Sequence, residues 1–142
     1  MSESDQALAE RLVKAMLARD AFSQWLGITL LQVAPGSACI AMTVRDDMVN
    51  GFGVCHGGVT FSLADSALAF ASNTHGRVTV SIDNSITYPA AVHVGDFLTA
   101  QAEQESASKR LAFYRVTVRR DQEAVALFRG TVYRTDKEFS GL

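Results

Sequence analysis

Asn50-Gly-Phe-Gly-Val-Cys-His-Gly-Gly-Val-Thr-Phe-Ser-Leu-Ala-Asp65 runs from a glycine-rich loop into a helix start at Gly57–Gly58. It then sets a single carboxylate, Asp65, among Phe61, Leu63, Ala64, Ala67, Leu68 and Ala69. A helix start offers backbone N–H groups without intrahelical partners and the positive end of a dipole, both suited to a developing oxyanion. A carboxylate in apolar surroundings is costly to bury, and it becomes a poised base or nucleophile where water or substrate reaches it. An electrophile stabiliser and a base on one short segment point to acyl transfer or hydrolysis.

From Gly57 to about His75 the sequence predicts a helix that is apolar nearly all round, closed by Gly76 as its C-cap. Such a helix is buried rather than half exposed. Upstream, Leu8, Leu12, Ala15 and Met16 at helical spacing predict an amphipathic surface helix over 5–19. A short turn at Phe22–Trp25–Leu26, ended by Gly27, docks it. Ile28–Val33 and Ser37–Val44 read as a hairpin across Ala34-Pro35-Gly36. Four β-like segments follow the helix: Val78–Tyr88, Phe97–Ser106, Leu111–Arg120 and Ala124–Arg134. The expected fold is α+β, a hairpin and a long antiparallel meander curved around one buried helix. No repeat or linker divides the chain, so residues 1–142 are expected to form a single domain with an N-terminal helical segment at 1–26.

A hydrophobic content of 48% with 20% charged residues is that of an ordinary globular protein. The net charge of −2 gives no reason to expect nucleic-acid binding. The polar, acidic start Met-Ser-Glu-Ser-Asp-Gln is unlike a signal peptide, and no apolar run approaches a membrane span. Cys39 and Cys55 are then expected as reduced thiols, and a cytoplasmic location follows. The three histidines, His56, His75 and His93, lack paired ligand spacing, so no metal is expected.

The run Val49–Asp65 resembles the hotdog-fold acyl-CoA thioesterases, and looks most like their phenylacetate-pathway (PaaI-type) branch. Val80-Ser-Ile-Asp-Asn-Ser-Ile-Thr-Tyr88 and Ala126-Leu-Phe-Arg-Gly130 are similar to that branch as well. The resemblance implies a curved sheet wrapped around one helix, and hydrolysis of an aryl-acetyl-CoA such as phenylacetyl-CoA or its ring-hydroxylated forms. It implies that the Gly57 N–H polarises the thioester carbonyl and that Asp65 is the general base or the nucleophile. Asn50 is implied to hold the thioester or the attacking water, His56 to support the loop, and Ser81 to position water. Lys109 and Arg110 match a loop that meets the coenzyme A nucleotide, where their charges suit its phosphates. Coenzyme A is then part of the substrate and no separate cofactor is expected. The segment Tyr88-Pro89-Ala90-Ala91-Val92-His93 departs from relatives that carry an arginine before the proline. The family is also similar in forming homodimers, often paired again into homotetramers.

Spacing alone leads to the same association. Asp65 lies eight residues beyond Gly57, about 12 Å along a helix axis. One chain's carboxylate and its own Gly57 N–H therefore do not meet at one carbonyl. Pairing Asp65 of one chain with Gly57 of another across a two-fold axis solves this.

Other readings of these residues are weaker. Cys55 and His56 are adjacent and do not face each other as a nucleophile pair. No Gly-Lys-Ser/Thr follows the Gly51–Gly58 glycines, so they do not form a phosphate loop. Asn50-Gly51 is also a common turn pair, and Lys109-Arg110 a common polar hairpin tip. On the same fold, a non-catalytic acyl-CoA sensor would gain nothing from burying Asp65. A hydratase or dehydratase would carry a catalytic His and Asp pair that is not evident around His56.

Overall fold

The computed structural model describes residues 2–141. Helix α1 (Asp5–Arg19) is capped by Ser4, whose hydroxyl accepts the Ala7 N–H at 3.1 Å, and it buries Ala9, Leu12 and Val13. Asp20 caps the short α2 (Ala21–Leu26), and Gly27, at φ +78°, ends it in the left-handed conformation that glycine adopts without strain. Strands β1 (Thr29–Ala34) and β2 (Ser37–Thr43) form the expected hairpin. The central helix α3 (Gly57–Ser72) is followed by β3 (Arg77–Thr87), β4 (Phe97–Ala107), β5 (Leu111–Arg120) and β6 (Glu123–Glu138). No helix among the described residues is long and apolar enough to cross a membrane.

All six strands belong to one antiparallel sheet in the order β1-β2-β4-β5-β6-β3. α3 packs against β2, β4 and β5 and also touches β3 and β6. Leu63, Ala64, Ala67, Leu68, Phe70 and Ala71 are fully buried on it, and Phe61 meets Phe128 edge to face with ring centroids 5.3 Å apart. The sheet thus wraps the helix as the hotdog resemblance implies.

Two expectations need correction. The strands after the helix are not a simple meander: only β4, β5 and β6 run in sequence, while β4 pairs with β2 and β3 pairs with β6 at the far edge. α3 carries the chain away from β2 to the opposite side of the sheet, and the segment 88–96 brings it back. Arg120 fixes that return, with Nη1 2.9 Å from the Ala91 carbonyl and 2.8 Å from Asp96 Oδ2. The helix also stops at Ser72, short of His75, with Asn73 rather than Gly76 at its end. The Asn73 amide donates to the carbonyls of Ala69 (2.8 Å) and Thr79 (3.0 Å), and its Oδ1 accepts the Thr79 N–H at 2.9 Å. These bonds unwind the chain early and tie the end of α3 to β3. Gly76, at φ +96°, turns the chain into β3 instead.

A register shift between Ser81 and Asp83 puts an extra residue into β3, where Ser81 faces Val132 and Asn84 faces Gly130. Strict alternation would send Ser81 and Asn84 to opposite faces. The bulge brings both onto the face that looks at α3.

Gly130 is needed there because α3 comes close. A Cβ at this position would lie 2.5 Å from Leu68 Cδ2 and 2.9 Å from Asn84 Oδ1. Gly130→Ala is expected to destabilise the protein by about 1–3 kcal/mol, the usual cost of overpacking a close-packed interior. Urea unfolding checks it, and an unchanged midpoint would show that the helix can retreat from the sheet without loss.

Candidate active site

The predicted site residues fall into two groups at different points of α3. The first lies at its N-terminus. His56 is the N-cap, and its Nδ1 accepts the Gly58 N–H at 3.0 Å, which leaves any neutral-ring proton on Nε2. The loop before it is held by backbone bonds from His56 N–H to the Met48 carbonyl (2.8 Å) and from Cys55 N–H to the Val92 carbonyl (2.7 Å). Asn50 builds the turn within that loop, since its Oδ1 accepts the N–H groups of Phe52 (2.9 Å) and Val54 (3.2 Å). The Gly57 N–H, by contrast, has no acceptor among the described residues. Tyr88 donates from its hydroxyl to the Gly57 carbonyl at 2.7 Å and covers this turn with its ring. A cleft of about 400 Å³ opens here, lined by Val54, Gly57, Thr60, Tyr88, Pro89 and Val92 among others.

The second group surrounds Asp65, two turns further along. Its half-buried carboxyl is pushed above the usual carboxylate range, first by burial and second by the negative charge of Asp20. Asp20 is held in place by its capping role: Oδ1 accepts the Ser23 N–H at 2.9 Å and Oδ2 the Ser23 hydroxyl at 2.6 Å. The Ser23 and Ser66 hydroxyls, 2.8 Å apart and buried, clip α2 onto α3 beside Asp65. On the other side Asn84 Nδ2 lies 3.4 Å from Asp65 Oδ1 and 3.0 Å from Ser81 Oγ, so Ser81 joins this group through Asn84.

Lys109 and Arg110 stand apart from both groups at the β4–β5 tip. Arg110 is engaged within the chain: its guanidinium meets Asp136 through both Nη atoms (2.8 and 3.2 Å) and donates to the Arg134 carbonyl at 3.1 Å. Lys109 is exposed, with no side-chain partner among the described residues. Tyr88, Asp20 and Asn84 were not singled out by sequence reasoning. For Tyr88 the signal was present, in the Tyr88–His93 segment that departs from the pattern the resemblance implies. Asp20 and Asn84 depend on tertiary approach and on the bulge.

The same helix thus carries a free N–H at its start and, further along, a carboxyl held above its normal range. Residues 52–127, which hold both Gly57 and Asp65, match the thioesterase superfamily. The chain belongs to that family. It is 38% identical to the acyl-coenzyme A thioesterase PaaI of Escherichia coli strain K12, over 89% of this chain and 91% of that protein. It is 35% identical to human acyl-coenzyme A thioesterase 13, over 80% and 82% of the two chains. The solved structure of the E. coli PaaI protein superimposes with a TM-score of 0.92 at 36% identity, covering 95% of this chain and 99% of that one. This chain is a hotdog-fold thioester hydrolase of PaaI type.

The electrostatic coupling between the two acids can be tested directly. Asparagine caps a helix as well as aspartate does, so Asp20→Asn keeps the Oδ1 bond to the Ser23 N–H and removes the charge, while the amide NH₂ in place of Oδ2 donates to the Ser23 hydroxyl instead of accepting from it. The Asp65 carboxyl, followed by carbon NMR through a pH titration, is expected to ionise at lower pH in Asp20→Asn than in the wild type. A coincident titration would show that the Asp20 charge is not felt at Asp65.

Proposed function

We propose that the protein hydrolyses the thioester of an aryl-acetyl-CoA, phenylacetyl-CoA or a ring-hydroxylated form of it, to the free acid and coenzyme A, as a step of aromatic acid breakdown. The similarity to PaaI supports the substrate class. The observation that carries the chemistry is the pairing of an unpartnered Gly57 N–H at the start of α3 with the perturbed Asp65 carboxyl on the same helix. In this reading the Gly57 N–H and the helix dipole stabilise negative charge on the carbonyl oxygen. Asp65, in its ionised form, removes a proton from water as that water attacks the carbonyl carbon. The carbon–sulfur bond then breaks, and the coenzyme A thiolate leaves and takes up a proton. Attack by Asp65 itself, through an anhydride that water later opens, uses the same placement. Asn50 and His56 shape the loop that presents Gly57, and the amide end of Asn50 faces the thioester or the water. Ser81 holds the attacking water near Asp65. Lys109, and Arg110 once it leaves Asp136, bind the nucleotide phosphates.

Each complete site draws on two chains in this reading. The Gly57 group and the Asp65 group sit two helical turns apart within one chain, and a second copy in two-fold relation brings one chain's Asp65 to the other's Gly57. Exposed apolar side chains support the association: Val80 and Ile82 on the edge strand β3, and Phe52, 93% exposed at the loop tip beside Asn50. The dimer, and a dimer of dimers, are the assemblies proposed.

Asp65→Asn is expected to lower turnover of phenylacetyl-CoA by about 10²–10⁴-fold, the effect of losing a positioned acid–base group, with KM little changed. Release of free thiol measures it, and near wild-type turnover in the folded variant would remove Asp65 from the reaction. A panel of aliphatic acyl-CoAs in the same assay tests the aryl preference, which fails if a straight-chain substrate gives the higher kcat/KM.

The shared site is tested by mixing two separately inactive variants, Asp65→Asn and Gly57→Val. The valine would push into the Tyr88 ring, which lies 3.1 Å from a Cβ at this position. In a heterodimer one site collects both lesions and the other is intact, so co-refolding is expected to restore activity, with half the sites of each heterodimer competent. Absence of recovery with heterodimers present would place a whole site in each chain.

A further inference from the structure

Asn84 of β3 reaches across to Asp65 on α3, with Nδ2 3.4 Å from its Oδ1, and the reaction above has no use for it. Its side chain sits in the row Asn84–Gly130–Tyr114–Gln104 that crosses β3, β6, β5 and β4 on the face towards α3. Three features fix it there. The bulge between Ser81 and Asp83 turns it inward. The missing side chain at Gly130 makes room for it, since a Cβ there would stand 2.9 Å from Asn84 Oδ1. The Nδ2 end then faces two acceptors, Ser81 Oγ at 3.0 Å and Asp65 Oδ1 at 3.4 Å. Its Oδ1 is buried and has no hydrogen-bond partner. An amide held with its acceptor unpaired is costly. The opposite orientation is worse beside an ionised carboxylate, which only accepts hydrogen bonds.

We propose that Asn84 is a positioning residue of the hydrolytic site: its amide N–H₂ holds the Asp65 carboxylate and links it to Ser81, so that base and water-holding hydroxyl act at one spot. The inference rests on the assignment of Asp65 as base or nucleophile. Contacts of this kind are often long in a free enzyme and tighten when substrate binds, in keeping with the 3.4 Å separation. A donor to the charged form favours ionisation, and so opposes the burial and the Asp20 charge that disfavour it. α3 carries no ionisable side chain besides Asp65, and the buried inner-face residues of β2, β4 and β5 are uncharged. By the strand register Asp83 and Arg129 lie on the outer face, and Arg129 pairs with Glu105. Arg134 of β6 lies on the inner face by the same register, but it is engaged at the far end of the row, donating to Gln104 Oε1 at 3.2 Å and to the Ser108 carbonyl at 3.3 Å.

The test follows the pH dependence of kcat/KM, whose acid limb reports the ionisation of the essential base in the free enzyme. Asn84→Leu keeps the size of the side chain and removes the donor. Its acid limb is expected to move up by roughly half a unit to one unit, and kcat to fall about 10- to 100-fold while KM holds. Asn84→Asp sets a second carboxylate beside the first, and like charges disfavour ionisation more strongly. The expected order of acid limbs is therefore wild type, then Asn84→Leu, then Asn84→Asp at the highest pH. A merely structural asparagine would loosen the fold in Asn84→Leu without moving its acid limb, so that limb is the discriminating one. Acid limbs that coincide with the wild type, or a reversed order, overturn the proposal. Should Asn84→Leu fail to fold, Asn84→Ala, which removes the donor without adding charge, decides alone: an upward shift supports the role and an unmoved limb ends it. Asp65→Asn, assayed alongside, separates the two levels of argument. If it retains turnover, the role of Asp65 fails. If it is inactive while the Asn84 variants keep the wild-type limb, only the role of Asn84 fails.

Discussion

The burial of α3 on nearly every side sets the terms for the rest of the molecule. A sheet covers an apolar helix this way by curving around it, and here β2, β3, β4, β5 and β6 all reach α3, with α1 and α2 adding to the cover. Close approach then dictates particular residues. Gly130 must lack a side chain beneath Leu68, and Asn73 must bond to Ala69 and Thr79 to seal the helix end against β3. In return, the buried side chains of α3 are located to the precision of a packed interior. A carboxylate placed on such a helix has little freedom, which is what a base aimed at one bond requires.

That placement has a thermodynamic sign. With its pKa raised by burial and by Asp20, the folded protein holds the Asp65 proton more tightly than the unfolded chain does. Stability contributed through this proton is present below the ordinary carboxylate range and is lost as pH rises through the folded-state pKa. At neutral pH, where the proposed reaction uses Asp65 in its ionised form, Asp65 therefore opposes folding. The rest of the core has to carry this cost, and the small, close-packed residues of α3 and the sheet supply the means. Stability is exchanged for a functional group, a trade common at active sites.

Much of this was legible in the sequence, for identifiable reasons. The Gly57–Gly58 start, the all-apolar run and the flanking hairpin are local signals, and the structure places those elements within a few residues of the expected bounds. The position of β3 was not legible as a meander member, because strand neighbours depend on where α3 delivers the chain, and no local residue encodes that. The end of α3 was misjudged for a related reason: Gly76 is a familiar stop signal, but Asn73 found a partner in Thr79 first. Asn84 escaped notice because the bulge at Ser81–Asp83 breaks the alternation by which strand faces are read.

The two halves of the site are built by different means, and the difference suits their tasks. Around Gly57, backbone bonds and the acceptor atoms of the His56 and Asn50 side chains satisfy most nearby backbone donors and leave the Gly57 N–H outstanding. A group meant to bind a transient oxyanion is best presented this way, as a rigid dipole that needs no reorganisation when charge appears. Around Asp65 the support is side chain on side chain, from Asn84 to the carboxylate and from Ser23 to Ser66. A base changes charge in every cycle, and partners that can shift slightly accommodate both protonation states. In the proposed reaction one helix thus carries a fixed electrophile stabiliser at its start and an adjustable proton acceptor in its middle. Its length, which keeps them from meeting within a chain, is the physical reason that a second copy completes the arrangement proposed here.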